Sequence, residues 1–465
     1  MRPSTAYKAY ILAAILFVLA MPVQAGQRPV LGSAPRYNEN YAFLADPSQR
    51  RDVFDPIKFI RLGEGTESYI SFGGEVRARN EGFINNPLFG ISPLKSDNYL
   101  LHRTLAHADL YINDHFRSFF QLGYHDVYSK SGAVTSTERD KLDLQQGFVE
   151  VKFSMGENEN LFARIGRQEM PLGSQRLVSV RDGPNIRLSF DAARITYVQG
   201  DYNLTGFIAH PVAVKQDMFD DVSDYTQDFW GVYGTLPIAS GLKADLYYLG
   251  LDRKGARFAQ GIEHEKRHSI GTRIFGASSG FDYNFEGVYQ FGSFGQGDIN
   301  AWTVASDTGY SLKNLPYQPR LGLKLNIASG DRNKNDQDLN TFNALFPRGS
   351  YFTENALIGP ANFIDAQPNI TLKPRDDVTL NFGADILWRE NTNDAIYRQP
   401  NIAIAGTAGR GDKYTGTQGF VVSTWQVDPH LSVTATYVHF AVGDAIESVG
   451  GGDSDYIGSW ISYRF

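Results

Sequence analysis

Tyr69-Ile70-Ser71-Phe72-Gly73-Gly74-Glu75-Val76-Arg77-Ala78-Arg79-Asn80-Glu81-Gly82 alternates in character along its length. Ile70, Phe72, Gly74, Val76 and Ala78 share one face of an extended chain, and Ser71, Glu75, Arg77, Arg79 and Glu81 share the other. Successive side chains of a strand point to opposite faces, so a period of two separates an apolar surface from a charged one. A soluble sandwich would bury the apolar face and wet the charged one. A membrane barrel would turn the apolar face to lipid and the charged face to a lumen.

The same alternation recurs. Val149, Val151 and Phe153 align, with Glu150 and Lys152 opposite. Leu321, Leu323, Leu325 and Ile327 align, with Arg320 and Lys324 opposite. Val378, Leu380, Phe382, Ala384, Ile386 and Trp388 align, with Asp385 and Arg389 opposite. Eighteen such segments run from 68–82 to 454–465. Connections alternate long and tight: 83–97 is long and Asn113-Asp114 tight, 170–188 long and Gly200-Asp201 tight, 391–413 long and Asp428-Pro429 tight. Residues 253–263 and 292–297 are read as further loops of the long set. Short periplasmic turns with long extracellular loops are the rhythm of an outer-membrane barrel. The expected fold is therefore all-β, a transmembrane antiparallel barrel of about 18 strands. Trp230, Tyr233, Trp388, Trp425 and Trp460 lie near strand ends, where aromatic girdles form.

The 465 residues contain 46 Gly and no Cys, which excludes disulfide scaffolds, thiolate zinc sites and cysteine nucleophiles. The formal charge of -7 without basic runs argues against nucleic acid as a partner. Arg2 and Lys8 form a basic region before the apolar run Ala9 to Met21, and Val23-Gln24-Ala25 has the form of a cleavage site. That run is shorter than the ~20 residues of a membrane helix and reads as a secretory signal peptide removed after Ala25. The expected organisation is a signal peptide over 1–25, a periplasmic segment over 26–67 and a barrel over 68–465, located in the Gram-negative outer membrane. At the C-terminal end Ile457, Ser459, Ile461, Tyr463 and Phe465 share a face. Ile461, Tyr463 and the terminal Phe465 resemble the signal read by the outer-membrane barrel assembly machinery.

If the apolar faces meet lipid, the opposite positions line the pore. The basic set is then Arg77, Arg79, Arg103, Arg117, Lys152, Arg164, Arg194, Lys324, Arg389 and Arg464. The acidic set is Glu75, Glu81, Asp109, Glu150 and Asp385. Arg binds carboxylates through a rigid fork and stays charged at any working pH, so this excess predicts anion selectivity. A ladder that only stiffens a wet lumen is the competing reading. Residues 164–194 are denser still, with Arg164, Arg167, Arg176, Arg181, Arg187 and Arg194. This loop either folds inward to narrow the pore or meets lipopolysaccharide phosphates outside.

Other chemistry finds little support. Asp331-Arg332-Asn333-Lys334-Asn335-Asp336 begins like a calcium loop, but Asp336 stands where Gly is required and Phe342 where Glu is required. His107 and Asp109 share a strand face, as an acid–base pair would, but a polar lumen produces such pairs by chance. No enzyme, metal or cofactor is expected, and with no nucleotide-binding motif transport follows a gradient or a periplasmic export complex.

Four stretches resemble one family. They are Ala45-Asp46-Pro47 through Arg51 with Phe54-Asp55-Pro56-Ile57-Lys58-Phe59-Ile60; Ala163-Arg164-Ile165-Gly166-Arg167-Gln168-Glu169; Gly183-Pro184-Asn185-Ile186-Arg187 with Ser189-Phe190-Asp191; and Gly330-Asp331-Arg332 with Thr341-Phe342-Asn343-Ala344-Leu345-Phe346-Pro347. Together they resemble the alginate export family of outer-membrane porins. The resemblance implies an eighteen-stranded monomer with an Arg-lined, anion-selective pore for a uronic-acid polymer. It also implies that Arg164, Arg167, Arg187, Asp191 and Arg194 form the constriction. Uptake of small organic acids, aromatics or sugars, and a plugged barrel acting as anchor or adhesin, remain alternatives.

Overall fold

The computed structural model describes residues 29, 31, 35–91, 93–333 and 335–465; the signal peptide expected over 1–25 lies outside them. Eighteen long strands close a barrel. They are β1 (Tyr69–Asn85), β2 (Asp97–Ile112), β3 (Phe116–Tyr128), β4 (Asp140–Gly156), β5 (Glu159–Gln168) and β6 (Phe190–Gln199). Next come β7 (Tyr202–Ala213), β8 (Gln227–Ala239), β9 (Leu242–Phe258), β10 (Gly261–Ser278), β11 (Phe281–Phe294) and β12 (Gly297–Ser311). The ring ends with β13 (Arg320–Ala328), β14 (Phe363–Arg375), β15 (Val378–Trp388), β16 (Tyr414–Gln426), β17 (Leu431–Val442) and β18 (Ser454–Arg464). Each strand pairs antiparallel with its neighbour in sequence, and β18 returns to β1 from Glu75↔Arg464 to Asn85↔Asp455. Closure leaves no strand edge unpaired.

The two faces of the wall settle its surroundings. Phe72, Val76, Ile165, Ile195, Ile208, Val232, Leu246 and Ile270 are exposed on the outside, whereas Glu75, Arg77, Arg79 and Arg103 are buried inside. An apolar belt of this extent is unfavourable in water and matches the lipid-facing band of a membrane barrel. Among the described residues no helix is long and apolar enough to cross a membrane; the strands do the crossing.

Two expected loops are absent. β9 and β10 continue as one hairpin through Ala256↔Glu263 to Phe258↔Gly261, and β11 and β12 to Phe294↔Gly297. Ala256, Phe258 and Phe294 are buried, so packing extends strands where the sequence signals turns. Tyr233 and Trp460 also depart from the girdle reading. The Tyr233 hydroxyl donates to Asp245 Oδ2 at 2.6 Å inside the barrel, and the Trp460 ring lies 4.3 Å from the Arg79 guanidinium. Trp425 faces outward as expected.

The seam is locked by both chain ends. Phe465 N donates to Gly74 O at 3.0 Å, and Gly74 N donates to Phe465 O at 2.9 Å. Arg36 Nη2 adds a bond to Phe465 O at 2.9 Å, and the Phe465 ring packs 5.2 Å from Phe54. Ile461 and Tyr463 are exposed on the outer face beside it. Removing Phe465 opens the last register pair, leaves the Gly74 N–H unpaired and leaves the Gly74 C=O with only Arg36 Nη1, at 2.8 Å, among the described residues. The refolded variant is therefore expected to lose the heat-modifiable compact band on a denaturing gel; an unchanged band would contradict this role.

Residues before β1 fill the barrel's short-turn mouth. α1 (Asp55–Lys58) packs on β1, and Phe59 stacks on Tyr69 at 4.6 Å. Tyr37 inserts between Phe119 and Phe148, and its hydroxyl donates to Glu169 O at 2.7 Å.

Candidate functional site: a guanidinium wall and two inward loops

Two pairs of arginines face each other directly across neighbouring strands: Arg77↔Arg103 on β1 and β2, and Arg164↔Arg194 on β5 and β6. Like charges directly opposite destabilise a sheet unless something between them is negative. The two pairs meet this demand differently.

Arg77 and Arg103 are capped by the loop 169–189. Arg103 donates to Asp182 Oδ1 at 2.8 Å, to Asn185 O at 2.8 Å and to Pro184 O at 2.6 Å. Arg77 donates to Asp182 O at 2.8 Å and Pro184 O at 2.9 Å. Glu75 bridges Arg103 at 3.2 Å and Arg464 at 2.8 Å. Arg187 also reaches Asp182 Oδ1, at 2.9 Å, and lies 3.7 Å from Glu169. Burial alone would raise the Asp182 carboxyl, but Arg187, Arg103 and Arg77 hold it well below the usual carboxylate range. Its side chain stays 46% accessible, so this ion cluster opens onto the lumen and is not sealed. The loop tip thus presents a carboxylate and a row of carbonyls to the guanidiniums, as an anionic solute would. Removing one partner of a buried charge pair leaves the others uncompensated. Arg103→Ala is expected to lower stability by about 3–5 kcal/mol in urea unfolding of the refolded barrel; a loss below about 1 kcal/mol, the size of a surface pair, would contradict this placement.

The second pair is only half filled. Arg164 donates to Glu150 Oε2 at 2.7 Å and lies 4.0 Å over the Phe148 ring and 4.4 Å over Tyr37. Glu150 on β4 is opposite Arg164 on β5 and opposite Arg117 on β3. Arg117 in turn holds Asp109 at 2.7 and 2.8 Å. Arg194 Nε and Arg164 Nη1 are buried without an acceptor among the described residues. Arg77 Nε and Arg187 Nη1 are in the same condition.

The remaining expected residues separate. Arg79 pairs with Glu81 and, at 3.3 Å, with Glu354. Arg167 grips Asp191 at 2.9 and 3.1 Å near the outer end of β5. Lys152 sits at the short-turn rim, 3.4 Å from Asp114. Lys324 lies on the far wall, in the fields of Asp307, Asp365 and Asp385. Arg389 is a correction: it does not line the pathway. It is buried in the loop after β15, donating to the carbonyls of Thr407 at 2.8 Å, Arg410 at 2.5 Å and Asp412 at 2.7 Å. The basic excess is smaller than the strands alone suggest, because loop residues Glu169 and Asp182 also enter the lumen. His107 and Asp109 do not form an acid–base pair: Asp109 engages Arg117, while His107 stacks on Phe119 at 5.3 Å.

A second lumenal cluster escapes sequence reading. The Tyr247 hydroxyl donates to Glu286 Oε1 at 2.8 Å, Arg176 donates to Glu286 Oε2 at 2.8 Å, and Arg273 reaches Asp245 at 2.8 Å. Tyr247 lies across its partner Gly271, where an added Cβ would stand 2.1 Å from the ring. An inward Tyr registered against Gly is the signal that could have revealed it.

Two loops meet inside the ring. Loop 169–189 leaves β5, and loop 329–362 leaves β13, close to half the ring away. Val178 and Phe346 form a bridge, with Ser179 N donating to Phe346 O at 2.9 Å and Phe346 N to Leu177 O at 2.8 Å. The Phe346 ring packs on Phe190 at 5.2 Å and Phe229 at 5.0 Å. A cavity of about 240 Å³ remains beside them, lined by Arg79, Tyr99, Asn185, Glu354 and Arg398 among others.

The solved structures similar to this chain include Pseudomonas aeruginosa OccK2 (OpdF) in complex with glucuronate, at 12% identity and a TM-score of 0.56, covering 85% of this chain and 98% of that one. Pseudomonas aeruginosa OccK8 (OprE) gives 12% and 0.55, covering 85% and 98%, and Acinetobacter baumannii OccAB1 gives 12% and 0.54, covering 84% and 96%. At such identities the likeness establishes the fold. Comparison with curated proteins gives no match. The family described as alginate export matches residues 68–459. The chain belongs to the alginate export family and is an outer-membrane β-barrel of the porin type.

Proposed function

We propose that the barrel passes carboxylated saccharides, uronates above all, passively along its guanidinium wall. The observation that carries this reading is the Arg164↔Arg194 pair, two cations facing each other with Glu150 as the one carboxylate hydrogen-bonded to them among the described residues and donors left over. A carboxylate between them would relieve their repulsion and fit the fork geometry. The family's description and the glucuronate bound to OccK2 supply the same class of solute. Because donors are spread over several residues and half answered by the protein's own acids, each contact is weak enough to release its ligand. The test is single-channel current across the refolded barrel with added glucuronate and oligouronate. Concentration-dependent block supports the reading; current indifferent to both contradicts it. A plugged barrel is the second reading, favoured by the docked loops, and it gives no conductance at all.

A further inference from the structure

Near the outer rim, where β3 meets β4, the ladder slips. Gly123 pairs with Asp143 and His125 with Asp140, so three steps on β4 oppose two on β3. Without this irregularity Asp140 and Asp143 would point to opposite faces of the wall. The bulge turns both inward, and both are buried. Loop 214–226 then brings Asp220 and Asp221 against them: Asp143 Oδ2 accepts from Asp220 N at 2.8 Å and Asp221 N at 3.1 Å.

One carboxylate oxygen from each of Asp140, Asp143 and Asp221 lies within 4.8 Å of the others. That is the spread of oxygens that share one divalent ion at about 2.0–2.6 Å each. Cationic relief from the protein is thin. Arg167 stands 3.8 Å from Asp143, but both its fork bonds go to Asp191. An independent sign comes from His125. Its side chain is fully buried, neither ring nitrogen has a hydrogen-bond partner, and Nδ1 lies 3.6 Å from Asp140 Oδ2. That separation is beyond a hydrogen bond but suits two ligands of one metal. Asp140 Oδ1 is likewise buried without a partner. A buried imidazole and a buried carboxylate oxygen left unsatisfied are costly unless something binds them.

We propose that Asp140, Asp143 and Asp221, with His125 beside them, form a site for a divalent metal cation that pins loop 214–226 to the barrel rim. Carboxylate oxygens alone would take Ca²⁺; imidazole nitrogen in the inner sphere would favour Zn²⁺.

The test uses the refolded mature barrel, stripped with EDTA and titrated calorimetrically with ZnCl₂ and, separately, CaCl₂. One saturable ion per chain is expected with one of them, weakened at least tenfold in Asp221→Asn, a loop variant that leaves every strand intact. Zn²⁺ binding weakened also by His125→Ala places the imidazole on the metal, whereas Ca²⁺ binding indifferent to it assigns the three carboxylates. In parallel, the bound ion is expected to slow trypsin cleavage after the exposed Lys215 in the wild type and not in Asp221→Asn. No saturable uptake of either ion, or uptake unchanged in an Asp140→Asn/Asp221→Asn variant, would overturn the site.

Discussion

Replacing residues 342–357 with a short Gly-Ser linker is expected to raise single-channel conductance several-fold. Phe346 is the reason. It bridges to Val178 and packs on Phe190 and Phe229, so this one segment holds both inward loops across the lumen. Its removal frees loop 169–189 from its partner and empties the centre of the ring. The barrel itself should survive, because its ladders run from strand to strand and none of them uses residues 342–357. Phe190, Phe207 and Phe229 would then face water, so some stability is lost while the strand register stays. Conductance in planar bilayers measures the outcome, with the heat-modifiable band as the check on folding. A folded variant with unchanged conductance would show that the loops are not the constriction.

The second large effect is expected from Arg164→Ala combined with Arg194→Ala. Arg164 makes its ion pair with Glu150, and Arg194 makes none among the described residues. Removing both leaves Glu150 with Arg117 at 3.8 Å as its nearest cation and turns a positive stretch of wall negative. Fields of fixed charge are strong beside a low-dielectric wall, so the pore should shift from anion towards cation preference and lose its block by glucuronate. The matching variant Arg77→Ala should change selectivity less, because loop carbonyls already cover that guanidinium. Equal shifts from the two positions would mean that partner occupancy does not decide which arginines a solute meets.

Much of this barrel is legible in sequence because its signals are local. Alternation in Tyr69–Asn85 and tight turns such as Gly200-Asp201 depend on residues next to one another, and they place every long strand. The interior is harder, because it is written between distant segments. Nothing near Val178 announces Phe346, and nothing near Arg103 announces Asp182. Arg389 obeys the same alternation as its neighbours and is still withdrawn by a loop cage. Tyr233 shows the limit of reading aromatics by position, since a ring near a strand end suits lipid headgroups and a buried carboxylate equally. Asp140 and Asp143 fall on opposite faces under strict alternation, and only the bulge unites them. Arg164 and Arg194 were readable as lumenal; that they face each other required the register.

The measurement that tests the account most directly is the reversal potential of the refolded barrel in a planar bilayer under a salt gradient, before and after glucuronate is added. The guanidinium wall predicts anion preference and a current that glucuronate reduces. Cation preference, or a potential and current indifferent to glucuronate, would contradict it.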